Sequence, residues 1–133
     1  MPRILMLCAL AAVSFAACER RHEAESRAMA VRVLQGVLVY PGSNLVSIAS
    51  GTDAAEVQLA SPASPEAVAT WYRQTLRLNG WELKSDGRLP DGGITIYAEH
   101  GKRPLWITFH PGVGEPGTRY NLIGAQVMGD TVK

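Results

Sequence analysis

Cysteine is scarce in this chain. Cys8 and Cys18 are the only two among 133 residues, and none lies beyond position 18. Charge of one sign is lacking as well, with 13 Lys and Arg against 12 Asp and Glu. The signs are interspersed, and the densest basic spot is Arg20-Arg21. A polyanion-binding surface announces itself by a basic excess or stripe, so nucleic acid is not an expected partner. No apolar run is long enough to span a bilayer. The longest, Ile4 to Ala17, is about fourteen residues, where a transmembrane helix needs about twenty. Serine-nucleophile motifs are missing too: neither G-x-S-x-G nor S-x-x-K occurs, and no Asp and Glu are spaced as an obvious acid–base pair. These absences argue against the commonest routes to catalysis.

What is present begins at the N-terminus. Arg3 supplies a charged start, an apolar stretch follows, and Ser14-Phe15-Ala16-Ala17-Cys18 closes it. Small side chains before a cysteine suit a peptidase pocket, and the thiol is the one group there nucleophilic enough to accept a diacylglyceryl chain. The arrangement resembles the lipobox of bacterial lipoprotein precursors, with Phe15 where leucine is usual. The resemblance implies a signal peptide over 1–17, cleavage before Cys18, and acylation of Cys18. Cys8 would leave with the leader, so redox chemistry and cysteine metal sites are not expected in the mature chain. A diacylglyceryl group plus an N-acyl chain exceeds a single acyl chain and anchors stably. Glu19 after the cysteine, by resemblance to Gram-negative sorting, implies the outer membrane, facing the periplasm. Setting Arg3 aside with the leader leaves twelve basic residues against twelve acidic ones.

Residues 18–36 read as a tether, charged and alanine-rich, with Glu23 four residues before Arg27 but no clear apolar stripe. One folded domain is expected over 37–128, followed by a tail at 129–133. Val37 to Tyr40 is strand-like and stops at Pro41-Gly42. Leu45 to Ala49 and Glu56 to Ala60 flank the turn Ser50 to Asp53, and Val57 and Leu59 alternate with Glu56 and Gln58 as a half-buried strand should.

The strongest helix signal covers 65–79. Ser64 suits the N-cap, Pro65 the first helical position, and Glu66 the positive end of the dipole. Val68, Trp71, Tyr72, Thr75 and Leu76 form one stripe, with Arg73 and Arg77 pointing away. Gly80 suits the left-handed terminator.

Strands are then expected at Trp81 to Lys84, Ile94 to His100, Arg103 to His110 and Arg119 to Val127. Parity sets the register of the middle pair. Placing Ile94, Ile96, Ala98, Leu105, Ile107 and Phe109 on one face requires paired residue numbers to sum to 203. That leaves the two-residue loop Gly101-Lys102, with Gly first as a type II′ turn wants. A one-residue slip would send one set to the wrong face.

Strands, one helix and then at least four strands predict an α+β fold. Its antiparallel sheet should have about five to six strands, with the main helix packed on one face. The order resembles helix-grip-like domains, including those in the lipoprotein of the outer-membrane β-barrel assembly machine. Tyr40-Pro41-Gly42-Ser43, Trp71-Tyr72-Arg73 with Leu76, and Gly80-Trp81 resemble a recurrent domain of bacterial envelope proteins. That likeness covers roughly residues 37–127 and brings no catalytic residues with it.

Gly112 to Gly117 matches G-x-G-x-x-G by letter, but Pro116 interrupts it and a strand, not a helix, should follow. No cofactor is therefore expected. His100 and His110 fall at opposite ends of one hairpin, roughly 20 Å apart at about 3.3 Å per residue, and His22 sits in the tether, so no metal site is expected. The register places Tyr97 opposite Trp106 on the face away from the aliphatic core, flanked by Thr95, Thr108 and Glu99. The pair is non-hydrogen-bonded, which brings its side chains closest; Glu99 with Pro104 is non-hydrogen-bonded too, so a residue without an amide hydrogen is tolerated there. Two aromatics on an open face, with Thr95 and Thr108, are candidate partner-binding residues; alternatively they only staple the hairpin. The expected function is a non-catalytic envelope interaction or scaffolding module, held to the membrane at Cys18, with other envelope proteins as the candidate partners. A small-molecule or lipid carrier with a helix–sheet cavity, and an enzyme, are the alternatives.

Overall fold

A computed structural model describes residues 2–127, with side chains from Phe15 onward. The expected tail at 129–133 lies outside the described residues. The elements are α1 (Pro2–Val33), β1 (Asn44–Ser50), β2 (Ala54–Ser61), α2 (Pro65–Leu78), β3 (Glu82–Arg88), β4 (Ile94–His100), β5 (Arg103–Pro111) and β6 (Thr118–Ala125). The six strands form one sheet in the order β1-β2-β6-β5-β4-β3, every neighbouring pair antiparallel. This is the α+β arrangement expected, with α2 as the main helix on one face.

The β4–β5 register follows the parity argument pair for pair, from Ile94 opposite Phe109 to His100 opposite Arg103. All six residues assigned to the core face are fully buried. Gly101 has φ +62°, and among the described residues no non-glycine residue has positive φ, so the loop has the glycine-first form of a type II′ turn.

Helix α2 begins and ends as its sequence dictates. Ser64 Oγ accepts from the Ala67 amide at 3.2 Å, satisfying one of the orphan donors of the first turn. At the other end Gly80 takes φ +83°. Its amide donates to the Arg77 carbonyl, and the Trp81 amide reaches back to Leu76 at 2.9 Å. That pair of bonds is the Schellman closure. Val68, Ala69, Tyr72 and Leu76 are buried; Trp71 and Thr75, on the expected stripe, are half-buried. Arg77 is exposed, but Arg73 is not directed into solvent. Its Nε and Nη2 donate to Asp86 Oδ2 and Oδ1 at 2.6 and 3.0 Å. Glu66 accepts from Arg88 at 2.7 Å, so two ion pairs clip α2 to the β3 edge.

Three expectations are corrected. Val37 to Tyr40 is extended but joins no ladder. Instead the Tyr40 amide donates to Tyr72 Oη at 3.3 Å, and just beyond the segment Ser43 Oγ lies 2.6 Å from Tyr120 Oη. The third strand starts one residue later than expected and runs on to Arg88. Residues 18–33, read as a tether, belong to α1, and Ser26, Ala30 and Val33 are buried. Ala30 and Val33 pack with Ala55, Ile48 and Val57, on the same sheet face as α2. Small residues permit that approach. A Cβ at Gly124 of β6 would lie 2.7 Å from the Val33 carbonyl oxygen, so only glycine fits there. Among the described residues, no helix is long and apolar enough to cross a membrane.

Candidate functional site

The pleat of β4 and β5 that buries one set of residues turns the alternate set to the opposite face. Neither helix covers that face. Tyr97 stands opposite Trp106, their rings stacked with centroids 5.2 Å apart and 26° between planes. Trp106 remains 40 % exposed and Tyr97 is half-buried. Thr95 and Thr108 form the next pair along the ladder, both half-buried. The register thus brings all four candidate residues together on one patch.

Tyr97 is fixed at its polar end too. Its hydroxyl donates to Glu99 Oε1 at 2.6 Å. That bond, then desolvation and the carboxylate's charge, pushes the phenol above its ordinary value of 10. The hydroxyl therefore stays neutral at physiological pH. Missed in the sequence was Ile123 of β6, which stands opposite Trp106 and is half-buried. It extends the pair into a row of three apolar side chains across β4, β5 and β6. The parity of β6 could have revealed it, because Tyr120 and Leu122 face the core.

On the covered side, the space between α2 and the sheet is filled by rings. Tyr72, Phe109 and Tyr120 lie with each centroid 5.7 Å from the other two. All three are at most 2 % exposed. Burial, with the neighbouring Tyr120 adding to it, drives the Tyr72 hydroxyl far above its ordinary value.

The remaining candidates lie apart from the aromatic patch. Cys18 is exposed on α1 and unpaired. His100 packs on Trp81, with ring centroids 5.4 Å apart, and His110 pairs with Asp91 at the other end of the hairpin. Among the described residues, no three His, Cys, Asp or Glu converge as a metal site. The glycine-rich stretch 112–117 connects two strands, closed by the Gly112 amide on the Gly117 carbonyl at 2.9 Å. No helix N-terminus follows it, so it offers no phosphate cradle of the dinucleotide kind.

An antiparallel sheet with its main helix α2 laid across one face defines the class. The family whose model matches is described as START domain-like, over residues 42–119. The chain belongs to that family, and the membership fits the helix-grip likeness read from the order of elements. No curated protein and no solved structure matches the chain.

Proposed function

We propose that this protein is a lipid-anchored module of the bacterial envelope that binds or scaffolds a partner and carries out no catalysis. The observation that carries the reading is the open face. Trp106 is 40 % exposed yet held by Tyr97 on one side, with Ile123 on the other. Interface energy concentrates in a few aromatics that a partner can bury without first having to order them. The lipobox-like run ending at Cys18 supports anchoring, and Glu19 supports the outer membrane with the domain in the periplasm.

A second reading, a carrier of a small molecule or lipid, is favoured by membership of the START domain-like family. Such a carrier needs room between α2 and the sheet, where Tyr72, Phe109 and Tyr120 now pack. Ligand entry would therefore require the rings to move.

Crosslinking in intact cells, comparing wild type with Trp106→Thr, tests the first reading. Capture lost in a variant that still unfolds cooperatively supports the open face, and capture unchanged overturns it. Lipid recovered in a one-to-one ratio from purified wild-type protein would favour the carrier.

A further inference from the structure

The two edges of the sheet are unlike. On β3, Glu82, Lys84, Asp86 and Arg88 are exposed, and Asp86 and Arg88 are tied to α2. Charges of that kind keep an edge from pairing with a foreign strand. The opposite edge, β1, carries neither charge nor proline over Asn44–Ser50. Leu45 and Val46 on it are 52 % and 43 % exposed.

The backbone groups that β1 leaves free follow from its pairing with β2. The Gly51 amide donates to the Ala54 carbonyl at 2.9 Å, so Gly51 occupies a hydrogen-bonded position. By alternation Ala49 and Ser47 do too, and Ile48 and Ser50 turn their amides and carbonyls outward, away from β2. Ile48 pairs with Val57, and both pack against Ala30 and Val33 of α1. A bulge at Val46 ends the regular stretch.

Helix α1 crosses at the Ser50 end, where Ser26 Oγ lies 3.0 Å from Ser50 Oγ. Beside it a groove of about 300 Å³ separates helix from strand, lined by Glu23, Arg27 and Leu45 to Ile48. Glu23 and Arg27 are exposed and four residues apart on one helix. Among the described residues neither forms an ion pair, even with the other.

We infer that β1 pairs antiparallel with β1 of a second copy of this chain, joining the two sheets into one. Outward-facing residues must meet outward-facing ones. Placing Ile48 opposite Ile48 of the second copy does so and overlaps Val46 to Ser50; placing it opposite Ser50 overlaps only Ile48 to Ser50. The two-fold axis is then normal to the sheet, and the core faces stay on one side. The paired isoleucines carry the apolar row of Ile48, Val57 and Leu122 across the seam.

The two α1 helices lie antiparallel on that side. Their crossings are offset by four residues of strand, about 13 Å, which leaves room for helices that pack at about 8–10 Å. Glu23 and Arg27 line the groove over Leu45 to Ile48 and so face the axis. Symmetry brings Glu23 of each copy to Arg27 of the other, as an isologous interface requires. That match is why the occupant is a second copy and not a strand of another protein.

Sedimentation equilibrium of the full-length protein in density-matched detergent tests this. Wild type should dimerise reversibly. Glu23→Arg should weaken the dimer about tenfold, as two exposed ion pairs become repulsions, and adding Arg27→Glu should restore it. Both residues are exposed, so neither change disturbs the fold. Oxidation of Ile48→Cys should link two copies, because a hydrogen-bonded pair sets its Cα atoms about 5.5 Å apart, within reach of a disulfide. Lys84→Cys on the β3 edge should stay at the background that Cys8 and Cys18 set in wild type. A monomeric wild type, a Glu23→Arg variant that dimerises as wild type does, or a double variant as weak as the single overturns the inference. So does Ile48→Cys that links no better than Lys84→Cys.

Discussion

Arg103, the first residue of β5, donates through Nη2 to the carbonyl of Gln35 at 2.8 Å, just beyond the end of α1. The same nitrogen lies 3.2 Å from the Val33 carbonyl, and the guanidinium sits 5.5 Å over the Trp81 ring. Cations at a helix C-terminus satisfy its orphan carbonyls and complement its dipole. Arg103→Ala should therefore cost about 1–2 kcal/mol, measured by urea denaturation. Hydrogen exchange should quicken at the Leu34 and Val37 amides, which close the end of α1. Unchanged exchange at both would show that Arg103 does not hold the helix down.

Leu76 and Arg77 report on the two faces of α2. Leu76 is 3 % exposed among the core residues, and Leu76→Ala should cost about 2–5 kcal/mol. Arg77→Ala should cost less than about 0.5 kcal/mol. Arg73→Ala should fall between them, losing up to about 1 kcal/mol with the bidentate contact to Asp86. A double-mutant cycle with Asp86→Ala that gives no coupling would refute that intermediate value.

Stability should fall in acid. The His110 hydrogen bond and the Gly93 amide hold the Asp91 carboxyl below its usual 3.8, and Arg88 holds Glu66 below 4.5. A carboxyl depressed on folding contributes stability above its unfolded value and loses it as pH falls through the folded one. Unfolding midpoints should therefore drop from about pH 5 downward. Asp91→Asn should flatten the lower part of that decline, below about pH 4, and leave the part that Glu66 governs. Tyr97 has the opposite sign. Its raised phenol contributes below pH 10 and loses that contribution as pH rises further, so its ultraviolet titration should lag behind free tyrosine. Titration of Tyr97 at the ordinary value would remove the Glu99 bond from the account.

Trp106→Thr should lower stability by about 0.2–1 kcal/mol if the ring only braces the hairpin. Under the proposed binding role it should also weaken partner association by 2 kcal/mol or more, roughly thirtyfold. Calorimetric titration against a captured partner separates the two.

Under the proposed anchoring, Cys18→Ala should give an uncleaved or soluble product. Wild-type protein that enters the aqueous phase of a detergent partition would refute acylation there.

The β4–β5 hairpin and α2 were legible because each rests on local rules. Parity admits one register for six apolar residues, and Ser64, Pro65 and Gly80 mark the ends of a helix. Tyr97, Trp106, Thr95 and Thr108 came together through that same register. The packing of α1 was not legible by the same means. Its contacts are Ser26, Ala30 and Val33, which carry little hydrophobic signal; their spacing of four and three residues was the available clue. Val37 to Tyr40 has strand composition, but it pairs with no strand; the Val37 amide turns back to the Leu34 carbonyl and the Tyr40 amide goes to the Tyr72 hydroxyl. Nor could Arg73 be placed from the helix alone, since Asp86 arrives from β3.

The fit of Gly124 beneath Val33 bears on how far the domain can travel. Cys18 to Glu25, all exposed, are the turns of α1 between that cysteine and the helix's first buried residue, and at 1.5 Å per residue they measure about 12 Å. If Cys18 holds lipid, the domain is carried on a short stiff arm rather than on a floating leash. The near edge of the domain must then stay within about that height of the bilayer, whichever partner it meets.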